Sequence, residues 1–240
     1  MESGLCETEA SGCGPETESA SALKDARALP ADLKDRIAWE LEEDIIFGRL
    51  QPGTRLRENV LLERFGGTRH FIRQALAHLE RSGIVTLERN RGATVRTFTP
   101  DEVKQIYDVR EMLQRQAALR IQLPANLELI NRLKNINEEY GAFIAAGNLR
   151  GIHEKNDRFH QIFFSACGNP YLTRLVSEYM DTTLAIRAKN LADEELLQVS
   201  IDHHRLMIKY LQGTDNWILA DLCVEHLRPS KQQYLDLYEN

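Results

Sequence analysis

The sequence predicts a mainly α protein in two parts. A unit of helix, helix, turn, helix and two-stranded hairpin precedes an all-α antiparallel bundle. Three observations predict this. Apolar residues recur at helical spacing through most of the chain. Strand-like β-branched runs occur only at 84–87 and 93–96. Beyond residue 100, Pro and Gly interrupt the chain at intervals that suit the helices of a bundle.

Residues 1–28 are rich in Ser, Gly, Glu and Ala and hold almost no large apolar side chains. Such a segment cannot repay the entropy of ordering, so a disordered tail is expected there. The first folded unit is expected over 29–97 and the second over 98–240. Leu33, Ile37, Leu41 and Ile45 recur at a spacing of four and mark a helix over 31–47. Gly48 ends it, and Pro52-Gly53 makes a turn. Residues 58–65 form a short second helix, and Gly66-Gly67 breaks the chain. Thr68 can cap a third helix to about Ser82, with Ile72, Ala75, Leu76 and Leu79 on its buried face. Strands at 84–87 and 93–96 flank a hairpin tip at Asn90-Arg91-Gly92. This order is that of a winged helix-turn-helix.

Residues 97–101 form a linker in which Asp101 can cap the next helix. Helices are then expected near 101–122, 126–146, 150–167, 170–190, 194–212 and 215–239. Breaks fall at Pro124, Gly147, Gly168-Asn169-Pro170 and Gly213.

The chain carries a net charge of −6, but that charge is unevenly spread. Residues 55–97 hold nine arginines against four carboxylates, Glu58, Glu63, Glu80 and Glu88. A segment of net +5 inside an acidic protein is what phosphate binding needs. Arg69 and Arg73 lie four apart in the first turns of the third helix and share a face. A recognition helix needs polar groups there and an anchored back. Arginine pairs bidentately with guanine or clamps phosphate. Thr68 and the free amides at the helix start suit a phosphate, and Arg91 at the wing tip suits a neighbouring groove. The competing reading, a solvated arginine-rich surface, is weakened by the preceding helix, the glycine turn and the hairpin.

No apolar run approaches the ~18 residues of a membrane span, and no secretory core opens the chain, so a cytoplasmic protein is expected. Cys6, Cys13, Cys167 and Cys223 form no CxxC pair and read as reduced thiols.

The second unit holds a histidine pattern. Asn156 and His160 lie four apart on one helix, while His204 and His226 come from two later helices. A bundle can gather such residues around a cavity, where imidazoles and one oxygen suit zinc, nickel or a similar divalent ion. His70, His78, His153 and His203 are expected to lie outside such a ligand set; His203 is an alternative to His204, but the 22-residue spacing to His226 favours His204.

Two stretches carry a family resemblance. Residues 48–95 resemble the DNA-binding domain of GntR-family bacterial regulators through Gly48–Leu56, Thr68–Leu76, Leu79–Val85 and Arg91–Val95. The family pattern reads small-Arg-Thr-Pro-Val-Arg-Glu-Ala-Leu, and here His70, Phe71 and Gln74 depart from it. The resemblance implies DNA contact by Thr68, Arg69, His70, Arg73, Arg91 and Gly92. Residues 101–236 resemble the FCD domain, the helical effector domain of the FadR subgroup. The stretches are Asn156-Asp157-Arg158-Phe159-His160, Gly168-Asn169-Pro170, His204, Gly213-Thr214-Asp215 and His226-Leu227. This implies Asn156, His160, His204 and His226 as ligands of a divalent metal, with Asn156 where aspartate is commoner. It also implies a small carboxylate effector, with Arg110 and then Arg187 as its cationic contacts, and a homodimer on a pseudo-palindromic operator.

The expected function is a ligand-responsive transcriptional regulator, a repressor or an activator, rather than an enzyme; the family resembled is one of bacterial repressors. The alternative is a metal-dependent hydrolase built on the same histidines, but no general base such as the Glu of HExxH accompanies them. An interaction module without DNA binding is the third reading, and the arginine distribution opposes it.

Overall fold

The structure, a computed structural model, describes residues 32–88, 92–187, 191 and 193–238. The expected tail over 1–28 and the wing-tip residue Arg91 lie outside the described residues.

Asp32 caps α1 (Leu33–Ile46) by accepting from the Lys34 amide. A two-residue strand, β1 (Arg55–Leu56), leads into α2 (Glu58–Phe65) and α3 (Arg69–Arg81). Thr68 caps α3 as expected, its hydroxyl accepting from the Phe71 amide at 3.5 Å. Strands β2 (Val85–Glu88) and β3 (Gly92–Val95) follow. The sheet is antiparallel in the order β1-β3-β2, with Leu56 opposite Ala93 and Thr86 opposite Thr94. The strand β1 is an addition to the expected hairpin. It is too short to show alternation and exists through its pairing with β3. Gly92 makes room for it: a Cβ there would sit 2.1 Å from the Leu56 carbonyl oxygen. Ile37, Leu41, Ile72, Leu76, Leu79 and Val95 fill the core of this unit.

The linker is anchored at Phe98, whose carbonyl accepts from the Tyr234 hydroxyl at 3.0 Å. The next helix, α4 (Pro100–Leu119), is capped by Thr99 and not by Asp101. Thr99 and Glu102 form a capping box with Pro100 in the first turn, and that pairing satisfies the free amides better than a lone carboxylate. Then come α5 (Leu127–Ala145), α6 (Leu149–Ser165) and α7 (Pro170–Thr182). The short α8 (Leu184–Arg187) precedes α9 (Glu194–Tyr210), α10 (Asn216–Glu225) and α11 (Arg228–Tyr238).

Two expected helices are each split. The span 170–190 stops at Thr183, whose hydroxyl turns back to the Tyr179 and Met180 carbonyls. The span 215–239 divides after Glu225 because Pro229 has no N–H and restarts the helix from its first turn. Within the bundle α4 packs on α10 and α7, and α5 packs on α6 and α9. Phe159, Phe163, Leu133, Met207 and Leu219 lie in its core. Among the described residues, no helix is long and apolar enough to cross a membrane.

Candidate functional site: a basic groove and a histidine cavity

The residues expected to read DNA divide into three groups. Arg69 and Arg73 both stand on the open face of α3, at 64% and 61% side-chain exposure. They line one groove with Arg55, Arg57, Glu58, Asn59 and Gly92. Thr68 and His70 are exposed at the start of the same helix but lie outside the groove lining. Arg91 lies outside the described residues. Glu58, which sequence reasoning counted only as an opposing charge, bonds Arg73 Nε at 2.8 Å and approaches Arg69 Nη1 at 3.6 Å.

In the bundle, α6, α9 and the end of α10 bring three imidazoles together. His160 Nε2 lies 3.3 Å from His204 Nε2 and 3.0 Å from His226 Nε2. The nearest ligand atoms of the three lie within 4.8 Å of one another. Burial pushes all three well below the ordinary histidine pKa, so they are neutral at pH 7. The Asn137 carbonyl oxygen lies 3.1 Å from His204 Nδ1. That oxygen only accepts, so it fixes the proton on Nδ1 and turns the Nε2 lone pair inward. His160 Nδ1 has no hydrogen-bond partner among the described residues. Three neutral imidazoles crowded through their Nε2 atoms leave lone pairs facing one another, and that donor set fits a borderline divalent cation.

Asn156, His160 and His226 line a cavity of about 80 Å³, with Arg110, Arg187, His153 and Tyr140, while His204 stands behind His160 and outside that lining. Its amide nitrogen donates to Asp157 at 3.2 Å, which leaves its carbonyl oxygen as the atom open to a ligand. Asp157 itself is bonded to Arg187 Nη1 at 2.8 Å. Burial alone would raise the Asp157 carboxyl, but Arg187 and then His153 hold it well below the carboxylate range. Arg187 is thus a buried, paired group. Arg110 is 3% exposed and lies over the Tyr107 ring, its Nη1 donating to the Thr183 hydroxyl at 2.9 Å, while Nε has no hydrogen-bond partner among the described residues. Burial pushes it down to about 10, so it stays cationic at neutral pH. His203, set aside on spacing, stands 3.4 Å from the far ring nitrogen of His226. Sequence reasoning missed Asn137, Thr183 and Glu58, since each meets its partner only through tertiary packing.

The two ends of the molecule meet at Thr183 and the α8 that follows it. Thr183 holds Arg110, and Arg187 lines the cavity. Between them Leu184 is buried in the core of the winged-helix unit, and Ile186 packs with Phe98 and Tyr107. Arg150 of α6 reaches Glu43 of α1 at 2.6 Å and lies over the Trp39 ring.

A winged helix-turn-helix with a free arginine face, joined to a helical domain with a buried polar cavity, defines a DNA-binding regulator with a sensor domain. Comparison with known proteins makes this specific. Residues 33–95 match the bacterial regulatory proteins of the gntR family, and residues 105–229 match the FCD domain. The chain belongs to the GntR family of transcriptional regulators, in the FadR subgroup that carries an FCD domain. It is 30% identical over 185 residues to the gluconate operon transcriptional repressor of Bacillus licheniformis, covering 75% of this chain and 76% of that one. The Bacillus subtilis repressor of the same name is 25% identical over 211 residues, 85% of each chain. Among solved structures, a putative GntR regulator from Rhodococcus aligns with a TM-score of 0.70 at 20% identity, over 85% of this chain and 98% of that one. The protein is a ligand-responsive DNA-binding regulator and not an enzyme. These relatives give the hydrolase alternative no support.

Proposed function

We propose that the chain is a homodimeric repressor that senses a small carboxylate in its helical domain and releases or retains a pseudo-palindromic operator accordingly. The winged-helix unit spans 29–97 and the sensor 98–240 in this reading. Thr68, Arg69, His70, Arg73, Arg91 and Gly92 face the DNA. Asn156, His160, His204 and His226 hold a zinc or nickel ion, which when bound supplies a positive centre for a carboxylate oxygen. Arg110 takes the remaining carboxylate edge by a charge-assisted bond, and Arg187 fixes the cavity wall through Asp157.

The observation that carries this reading is one cavity lined by His160 and His226 of the three-imidazole cluster and by a buried guanidinium, Arg110, to which no carboxylate is bonded among the described residues. An unpaired buried charge is costly unless a ligand compensates it. Curated relatives named for an operon of gluconate, a sugar acid, support a carboxylate as the signal. The signal reaches the DNA end through the junction of α7 and α8, where Thr183 bonds Arg110 and the next residue, Leu184, enters the winged-helix core. A ligand that reorders the cavity thereby biases the spacing of the two DNA-reading heads.

The test is thermal unfolding with zinc or nickel, then with a panel of small carboxylic acids. At a metal concentration 100 times Kd, stabilisation of about 2.7 kcal/mol is expected. His160→Ala and His204→Ala are expected to lose both the bound metal and that shift. Unchanged metal content in both variants overturns the site assignment.

A further inference from the structure

We propose that Glu58 is a specificity-determining positioning residue of the DNA interface, bracing Arg69 and Arg73 for base contact and opposing unspecific phosphate contact. It rests on the proposed DNA-facing role of the two arginines.

Glu58 is the first residue of α2, and its side chain is only 15% exposed although the groove around it is open. It is the one acidic side chain among the seven residues that line the groove, against Arg55, Arg57, Arg69 and Arg73. One oxygen accepts from Arg73 Nε at 2.8 Å, and the other lies 3.6 Å from Arg69 Nη1. The two arginines come from successive turns of α3 and meet on a single carboxylate of another helix.

A carboxylate in a groove built for a polyanion works against affinity, because it repels the phosphates that the arginines attract. Its placement is explained by what it does to the arginines. An exposed arginine has much rotamer freedom to lose on binding, and a side chain held beforehand loses less. The brace also selects an edge. With Nε of Arg73 committed to Glu58, the two Nη groups remain as the fork that meets guanine O6 and N7 in the major groove. The same charge raises the cost of sites where the arginines meet only phosphate, so specific and unspecific binding are moved in opposite directions. A stabilising role at the start of α2, from a negative charge near a helix N-terminus, moves both in the same direction through stability.

The experiment uses the full chain and two probes. One is a randomised duplex library carried through selection and sequencing. The other is a mixed-sequence duplex titrated from about 50 to 200 mM salt. Glu58→Ala is expected to bind the mixed duplex more tightly, with a salt slope steeper by up to about one unit. Its selected motif is expected to lose base preference at the positions that Arg73→Ala also relaxes, and its specific-over-unspecific ratio to fall by about tenfold or more. Glu58→Gln, which keeps an acceptor without the charge, is expected to keep most of the motif while gaining unspecific affinity. An unchanged motif and ratio in Glu58→Ala overturns the proposal. So does a joint loss of both kinds of binding with a lowered melting temperature, the signature of the purely stabilising role. If Arg69→Ala and Arg73→Ala both keep the motif, the arginine assignment itself is wrong. If they lose it while Glu58→Ala keeps it, only the brace is wrong.

Discussion

The two arginine sites of this molecule are built on opposite plans. At the DNA end, Arg69 and Arg73 are exposed and share a carboxylate. At the effector end, Arg110 is buried and bonded to a hydroxyl, with one nitrogen left unpaired. On the proposed function, the difference follows from the partner each awaits. A polyanion comes to the surface and brings many charges, so the protein must hold its arginines in order and restrain them. A small anion must enter, so the protein keeps a charge out of water and leaves its compensation to the ligand.

The sharpest way to break this comparison is at the segment joining the two ends. Leu184 belongs by sequence to the sensor and by packing to the winged-helix core. Leu184→Ala is expected to cost about 2–5 kcal/mol in chemical denaturation, as truncation of a buried leucine does. It is also expected to weaken any effect of the carboxylate on DNA affinity while leaving carboxylate binding itself in place. A midpoint within error of the parent protein would show that the two ends are joined elsewhere, for instance through Arg150 and Glu43.

A second test sets the two arginine plans side by side. Arg110→Met replaces a buried cation by an apolar chain of similar length. With no ligand present the variant is expected to be more stable, by about 1–4 kcal/mol, because removing an uncompensated buried charge removes its desolvation cost. The thermal response to carboxylic acids should vanish at the same time. Arg73→Met is expected to do the reverse: an unchanged melting temperature, and sequence-specific DNA binding weaker by about 10- to 100-fold. If Arg110→Met destabilises the protein, the charge is compensated within the fold and the comparison fails.

The same contrast governs what was legible in the sequence. The DNA end announces itself locally: Thr68 precedes its helix, Ile72 and Leu76 mark the buried face, and a glycine turn stands before them. Only β1 escaped, because Arg55–Leu56 becomes a strand by pairing with Thr94 and Ala93, 39 and 37 residues away. In the sensor, three histidines stood out as a set, yet what tunes them did not. Asn137 meets His204 across 67 positions, and Arg110 meets Thr183 across 73. Pairs at such separation leave no periodic trace. The break at Pro229 is different. Its signal was present in the sequence, since a proline inside a long helical run restarts it. Asn156 beside Asp157 shows what resemblance adds: the face was legible from spacing, but the ion pair of Asp157 with Arg187 needed the fold.

The smallest expected effect lies between the two regions, at the start of α4. Thr99 and Glu102 cap each other's backbone amides, and Pro100 fixes the first turn. Both signals are local, yet the turn they secure carries the linker that positions the DNA end. One residue earlier, Phe98 packs against Tyr107 and Ile186, next to the cavity arginine's own helix turn. Thr99→Ala is expected to cost about 1 kcal/mol, the usual loss of a helix cap. The loss should appear first as faster amide exchange in residues 101–103, ahead of any change in the core of the bundle. It should leave carboxylate and metal binding intact while loosening the coupling between them and the DNA. Unaltered exchange in that turn would mean that the Tyr234 bond to Phe98, rather than the cap, fixes the linker, and Tyr234→Phe would then be the variant that separates the two ends.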